Sequence, residues 1–240
     1  MTIGIMQPYL LPYLGYFQLM DCVDKYVFCG DMQYIRWGWV NRNQLRIHNK
    51  KQTYFFTFPV VKDDHKKKIN ERYYRDLKRN CDKLKRSLYQ DYRKAVNFEE
   101  AYSVLEKAMC FQNDNVACFN MNANCTIARY LGIETEISCT DVVKDEMFWY
   151  KFHHLEREDR AVYMCQYYNA QKFVNAIGGT ALYHKSVFKD NGIDLHFLRM
   201  NDITYPQFGK EFCSNLSIID VMMHNKIDEL KLLLKKYQLE

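Results

Sequence analysis

No apolar run in this 240-residue chain approaches the ~18 residues that a membrane helix needs. The first residues also lack the basic, then apolar, then small-residue order of an export signal. A cytoplasmic protein with no membrane span is therefore expected. Nine cysteines include no CxxC pair, and seven histidines include no HxxxH. Adjacent His153 and His154 point in different directions on any regular element, so no metal site is expected. An odd, irregularly spaced set of cysteines reads as reduced thiols rather than a disulfide framework. Neither GxGxxG nor a P-loop occurs, which disfavours a Rossmann dinucleotide site and a Walker ATPase; no cofactor is expected. There is no GxSxG elbow. Internal repeats and Pro/Gly/Ser-rich linkers are absent too, so residues 1–240 are expected to form a single α/β domain.

What is present is core-forming material: 48% of residues are apolar and 15% aromatic, which excludes disorder. Charge is concentrated in one segment. Lys62 to Lys94 holds 13 Lys and Arg against 6 Asp and Glu, a net of +7, which leaves −2 for the rest of the +5 chain. Acidic residues interleave with the basic ones along a helical apolar stripe (Tyr73, Leu77, Cys81, Leu84, Leu88, Tyr92), so this is a solvated helix face rather than a nucleic-acid site. Apolar runs bounded by turn residues predict strands at 2–6, 25–29, 53–61, 133–138, 161–165 and 193–199. Helices are predicted from Tyr16, over the stripe, at Glu99–Met109, at Asn115–Leu131 with Gly132 as the stop, and at Ile227–Leu239. The fold class is α/β: a parallel or mixed sheet with nucleotide-binding-like N-terminal βα units and a helical insertion or subdomain at 66–131.

The first forty-three residues carry the most specific pattern. The run Ile3-Gly4-Ile5-Met6 stops at Gln7-Pro8, and Pro12, four residues on, precedes Gly15 and an apolar helix. Strand, rigid turn and helix N-terminus form the layout of an α/β ligand site. Gln7 either contacts a ligand at the end of strand one or caps the turn. Asp31, after the second strand, binds a metal, orients an amine, acts as a base, or is a solvated turn carboxylate. Arg42, between Asn41 and Asn43, is a bidentate phosphate or carboxylate clamp or one half of a surface ion pair. Tyr13 and Tyr16 are wall or core residues; they stand where the HIGH signature of adenylyl-transferring enzymes has its histidines. Gln166, after the predicted strand 161–165, falls at a strand end like Gln7. His184 and His224 are the histidines best placed to serve as bases, and Ser217 fits a helix cap. Gln7, Asp31 and Arg42 are expected to line one cleft with Tyr16 at its wall, since adjacent parallel strands bring the first two to roughly 5–10 Å apart.

The chain resembles the WbqC-like protein family through a QPxxxPYxGYFQL pattern at Gln7, Pro8, Pro12, Tyr13, Gly15, Tyr16, Phe17, Gln18 and Leu19. Asp31, Gln33, Asn41-Arg42-Asn43, Thr57-Phe58-Pro59-Val60, Gly178-Gly179 and Leu216-Ser217-Ile218-Ile219-Asp220 extend the resemblance to about Asn225. It implies a bacterial protein of surface-polysaccharide (O-antigen, lipopolysaccharide) gene clusters. The implied activity is transfer of a glycyl or similar acyl group onto the amino group of a nucleotide-linked amino sugar. On that reading Asp31 is catalytic, and Gln7, Tyr13, Tyr16, Gln33, Asn41, Arg42, Asn43 and Gln166 bind substrate. The basic 62–94 segment would attract a diphosphate or dock an acidic acyl-carrier protein. The alternative is a non-catalytic sugar-nucleotide-binding or scaffolding module of a polysaccharide assembly complex.

Overall fold

The structure, a computed structural model, describes residues 1–46, 52–209 and 211–240. Its main sheet contains β1 (Thr2–Met6), β2 (Lys25–Phe28), β5 (Glu136–Cys139), β6 (Lys172–Ala176), β7 (Asp194–Met200) and β8 (Tyr237–Leu239). The spatial order is β5-β2-β1-β6-β7-β8; the first five run parallel and β8 pairs antiparallel at the edge. Numbered among themselves, the parallel strands read 3-2-1-4-5, the order of a doubly wound sheet. The chain winds outward from β1 to β2 and β5, then crosses back to β6 on the other side of β1. The crevice between the carboxyl ends of β1 and β6 is thus the topological switch point. A second, two-stranded ribbon pairs β3 (Arg42–Arg46) with β4 (Thr53–Thr57).

Alternating side chains cover both faces of the sheet. Tyr26, Phe28, Val174 and Leu198 belong to a core shared with α1 (Leu14–Asp21), α2 (Leu77–Tyr92), α3 (Phe98–Met109), α4 (Val116–Leu131), α8 (Ile218–His224) and α9 (Ile227–Leu234). On the other face Ile3, Val27, Phe173, Leu195 and Phe197 pack with α5 (Glu146–His154), α6 (Arg157–Tyr167) and α7 (Lys185–Asp190). The helical block near 66–131 lies inside the long β2-to-β5 connection and shares the first of these cores.

Several expected elements change. The apolar run 161–165 lies in α6, where Ala161, Val162, Met164 and Cys165 are buried with helical spacing. A five-residue apolar run cannot tell a strand from a buried helix turn. The strand beside β1 is instead Lys172–Ala176, whose Lys172 and Asn175 break the apolar pattern. The strand expected over 53–61 ends at Thr57, before Pro59. The tail helix stops at Leu234, and Tyr237–Leu239 extends the sheet.

The Gln7–Pro12 turn is fixed by its carbonyls. Tyr16 Oη donates to the Gln7 carbonyl at 2.7 Å, and Asn120 Nδ2 to Pro8 at 2.9 Å. Asn124 donates to Tyr9, Asn43 to Leu10 and Leu11, Ser217 to Leu11, and the Ile218 amide to Pro12. Six successive carbonyls of a turn between two prolines thus all find partners. Left unpaired in a buried turn, each would carry a desolvation cost.

Candidate active site

The carboxyl edge of the sheet gathers residues that follow β1, β2 and β5. β2 continues as Cys29-Gly30-Asp31, and the Cys29 amide donates to the Met6 carbonyl at 2.8 Å, so β1 and β2 end together. The segment Lys68–Asn70 then lies against this exit. Lys68 bridges Gln33, the Ile69 amide donates to Met32 O, and the Asn70 amide donates to Gly30 O. Gly30 suits this close approach: a Cβ there would stand 3.3 Å from Ala117, Asn70 and Asp141 alike, closer than ordinary contact, so the neighbours would have to give way.

This docking brings Lys68 to Asp31, with Nζ 2.6 Å from Oδ1. His153, near the end of α5, completes the cluster. Its Nδ1 is 3.8 Å from Asp31 Oδ2 and its Nε2 is 3.3 Å from Lys68 Nζ. The ring is held by Trp149, stacked at 5.4 Å, and by Phe152, which anchors α5 in the core. The Asp31 side chain is only 9% exposed, so its charge is poorly screened. Burial lowers the His153 pKa from its usual range and the Lys68 ammonium lowers it further, against the opposing pull of Asp31. The imidazole is therefore neutral at pH 7. The network gives it a proton on Nδ1 toward Asp31 and a lone pair on Nε2 toward Lys68. A neutral imidazole beside a carboxylate and an ammonium can accept a proton, orient an amine and stabilise a developing negative charge.

Nearby nucleophiles are inert by comparison. The Cys29 thiol is pushed up to about 12 by burial, with the Asp31 charge adding to the effect. Asp141, after β5, accepts from Asn70 Nδ2 at 2.7 Å. Among the described residues no group of three or more His, Cys, Asp or Glu converges as a metal cage.

The sequence-derived residues separate into different roles. Gln7 stands at the end of β1, and its side-chain amide has no hydrogen-bond partner among the described residues. Asp31 is in the cluster, and Gln33 lies beside it, donating to His65 O at 3.3 Å. Arg42 touches neither Gln7 nor Asp31. Its guanidinium donates to the Trp37 carbonyl and lies 4.4 Å from the Phe55 ring centre. Asn41 and Asn43 are buried and hold Phe58 O and the Leu10 and Leu11 carbonyls. Tyr16 is fully buried, and burial raises its hydroxyl pKa far above the usual range. Tyr13 precedes α1, half-buried, its ring over Gly15. Gln166 sits near the end of α6 and donates to Asn191 Oδ1 at 3.2 Å. Gln166 is on the helix that leads into β6 and Asn191 caps the helix that leads into β7, so Gln166 lies at the amino edge, away from Asp31. Gly179 is needed by Asn175, whose Oδ1 would lie 2.4 Å from a Cβ there.

The histidines also redistribute. His224 is buried against Tyr92 and Phe208, with its pKa lowered by burial. His184 is exposed and pairs with Glu158 at 3.2 Å. His153, which sequence reasoning used only to argue against zinc, is the histidine that meets Asp31.

The model of the WbqC-like protein family matches residues 7–232, a span that includes the turn, Asp31, Lys68 and His153. The chain belongs to the WbqC-like protein family. It is also similar to the uncharacterized protein Rv1507c of Mycobacterium tuberculosis (strain ATCC 25618 / H37Rv), at 27% identity over 228 residues. That similarity covers 92% of this chain and 93% of the mycobacterial one. No solved structure matches the chain. Within this WbqC-like protein the signature divides by role: Gln18, fully buried, donates to the Leu233 and Lys236 carbonyls at the end of α9, while the Gln7 amide, at the switch point, meets no partner among the described residues.

Proposed function

We propose that this WbqC-like protein is a transferase that moves a glycyl or similar acyl group onto the amino group of a nucleotide-linked amino sugar. The observation that carries this reading is the Asp31–Lys68–His153 cluster at the carboxyl edge of a doubly wound sheet, next to the switch point where such sheets bind ligands. Asp31 orients the sugar's amine, and His153 Nε2 takes a proton from it as the nitrogen attacks the acyl carbonyl. Lys68 turns to the developing oxyanion. When the intermediate collapses, the C–N amide bond has formed and the bond from the carbonyl carbon to its leaving group breaks. The proton on His153 passes to that leaving group. Positioning and one proton transfer suffice, with no covalent enzyme intermediate. Gln7 fixes a sugar hydroxyl.

The acyl donor in this reading is a thioester on an acidic acyl-carrier protein. Lys78, Arg79, Lys83 and Arg86 are exposed along α2 and supply a docking face of matching charge. Mass spectrometry of nucleotide-linked amino sugars incubated with the protein and a charged glycyl carrier tests the proposal. A mass gain of one acyl group on the sugar is expected. No gain with any sugar and donor, together with nucleotide-sugar binding, would favour the non-catalytic binding module instead.

A further inference from the structure

The loop between β2 and β3 exposes an aromatic surface that the cluster does not use. Trp37 is 75% exposed, Ile35 58%, Trp39 45% and Phe55 on β4 45%. Two of the chain's three tryptophans thus face solvent on one short loop. Large exposed apolar patches mark binding surfaces. Trp37 also adopts φ +66°, in the left-handed region, although the next residue, Gly38, would adopt it at less cost. Strain of this kind persists where the surroundings hold it, and it gathers at ligand clamps. Here the surroundings are specific. The Arg42 guanidinium donates to the Trp37 carbonyl and lies over both rings, 5.5 Å from the Trp37 ring centre and 4.4 Å from that of Phe55. The Trp39 carbonyl accepts from the Leu10 amide, which ties the loop to the signature turn.

The charge beside these rings says what they suit. Arg36 is exposed, and neither Arg36 nor Arg42 meets a carboxylate among the described residues. Solvent-exposed rings next to two guanidiniums that meet no carboxylate among the described residues match a ligand that is planar at one end and anionic next to it. The position fits as well. Gln33 is bridged to Lys68 of the cluster, and Trp37 follows four residues later, a reach of at most ~14 Å along the chain. A ribose and diphosphate are of comparable length.

We infer that Trp37, Trp39 and Phe55 form a base-stacking platform, and that Arg36 and Arg42 take the phosphates of a nucleoside diphosphate whose sugar extends to Asp31, Lys68 and His153. The inference rests on the nucleotide-linked substrate of the proposed function. It adds the end of the ligand that the reacting groups do not touch.

The test uses the full chain, with UDP, dTDP and GDP as probes alongside inorganic pyrophosphate and a neutral oligosaccharide. Binding is followed by calorimetry and by quenching of tryptophan fluorescence. The nucleoside diphosphates should bind and quench. W37A and W39A should each weaken them by about 5- to 100-fold while leaving pyrophosphate binding unchanged, as stacked bases behave on substitution of their ring. W37F should retain most of the affinity. Because Trp37 is exposed, unaltered circular dichroism should accompany these losses. If a nucleotide-linked sugar binds and W37A and W39A leave its Kd unchanged, the platform is wrong and the transferase reading stands. If no nucleoside diphosphate or nucleotide-linked sugar binds at all, both fall. Oligosaccharide or an oligonucleotide binding more tightly than the nucleoside diphosphates overturns the assignment. So does a change of sedimentation in W37A, which would make the patch a protein contact.

Discussion

His153 stands beside an ammonium, and that neighbour sets the pH at which the imidazole can accept a proton. Burial and Lys68 lower its pKa, and Asp31 raises it. Transfer that needs neutral His153 is therefore lost as pH falls through a midpoint below the usual histidine range, and is fully present above it. Lys68→Met removes a lowering influence, so the acidic limb of the pH–rate profile should move to higher pH. Asp31→Asn removes a raising influence and should move it to lower pH. Both limbs moving in the same direction would contradict this arrangement. Of the three residues only Asp31 was legible in the sequence, as a carboxylate just after a strand. Lys68 is 37 residues away and His153 a further 85. Nothing local in the sequence records a contact across such distances. Asn41 and Asn43 show a related ambiguity: an amide suits a ligand and a buried carbonyl equally well, and here Asn41 donates to Phe58 O while Asn43 donates to the Leu10 and Leu11 carbonyls of the turn.

The turn from Gln7 to Pro12 places the end of β1, and its rigidity depends on amides from distant elements. Asn120 donates to Pro8 O and Val40 O and accepts from Tyr74 Oη at 2.8 Å, all out of solvent. Tyr74 Oη can still donate to Val40 O without Asn120, so Asn120→Ala strands chiefly the Pro8 carbonyl and should cost about 1–3 kcal/mol, the range for one buried unsatisfied partner. A urea midpoint that falls at constant m-value would show it; an unchanged midpoint would mean that the turn holds without this residue. Elements with local punctuation could be read directly. α4 begins where Asn115 Oδ1 accepts from the Cys118 amide and ends at Gly132, with φ +77°. β1 and β2 announce themselves as apolar runs ended by a turn. β6 could not be read in this way, because Lys172 and Asn175 sit in a five-residue strand whose identity comes from pairing with β1 and β7. The run at 161–165 was readable as apolar but not as helical, since its period shows only once the flanking turns of α6 are known.

Across the whole molecule, the basic segment serves two places. The +7 segment from Lys62 to Lys94 contributes Lys68 to the cluster at one end and the exposed stripe of α2 at the other. No helix among the described residues is long and apolar enough to cross a membrane. If α2 docks an acidic carrier, the double variant Lys83→Glu, Arg86→Glu should raise the KM for the carrier-bound donor at least tenfold. It should leave kcat with a small thioester donor unchanged. The carrier KM of the unaltered protein should rise with salt, as long-range attraction is screened. A KM indifferent to both changes would move the docking face elsewhere. The central claim is that the three residues at the carboxyl edge carry out transfer, and single-turnover acylation of a nucleotide-linked amino sugar by His153→Gln tests it most directly. The account predicts a rate about 10²- to 10⁴-fold below that of the unaltered protein, with nucleotide-sugar affinity preserved, as for loss of a general base. Acylation by His153→Gln at the unaltered rate would contradict it.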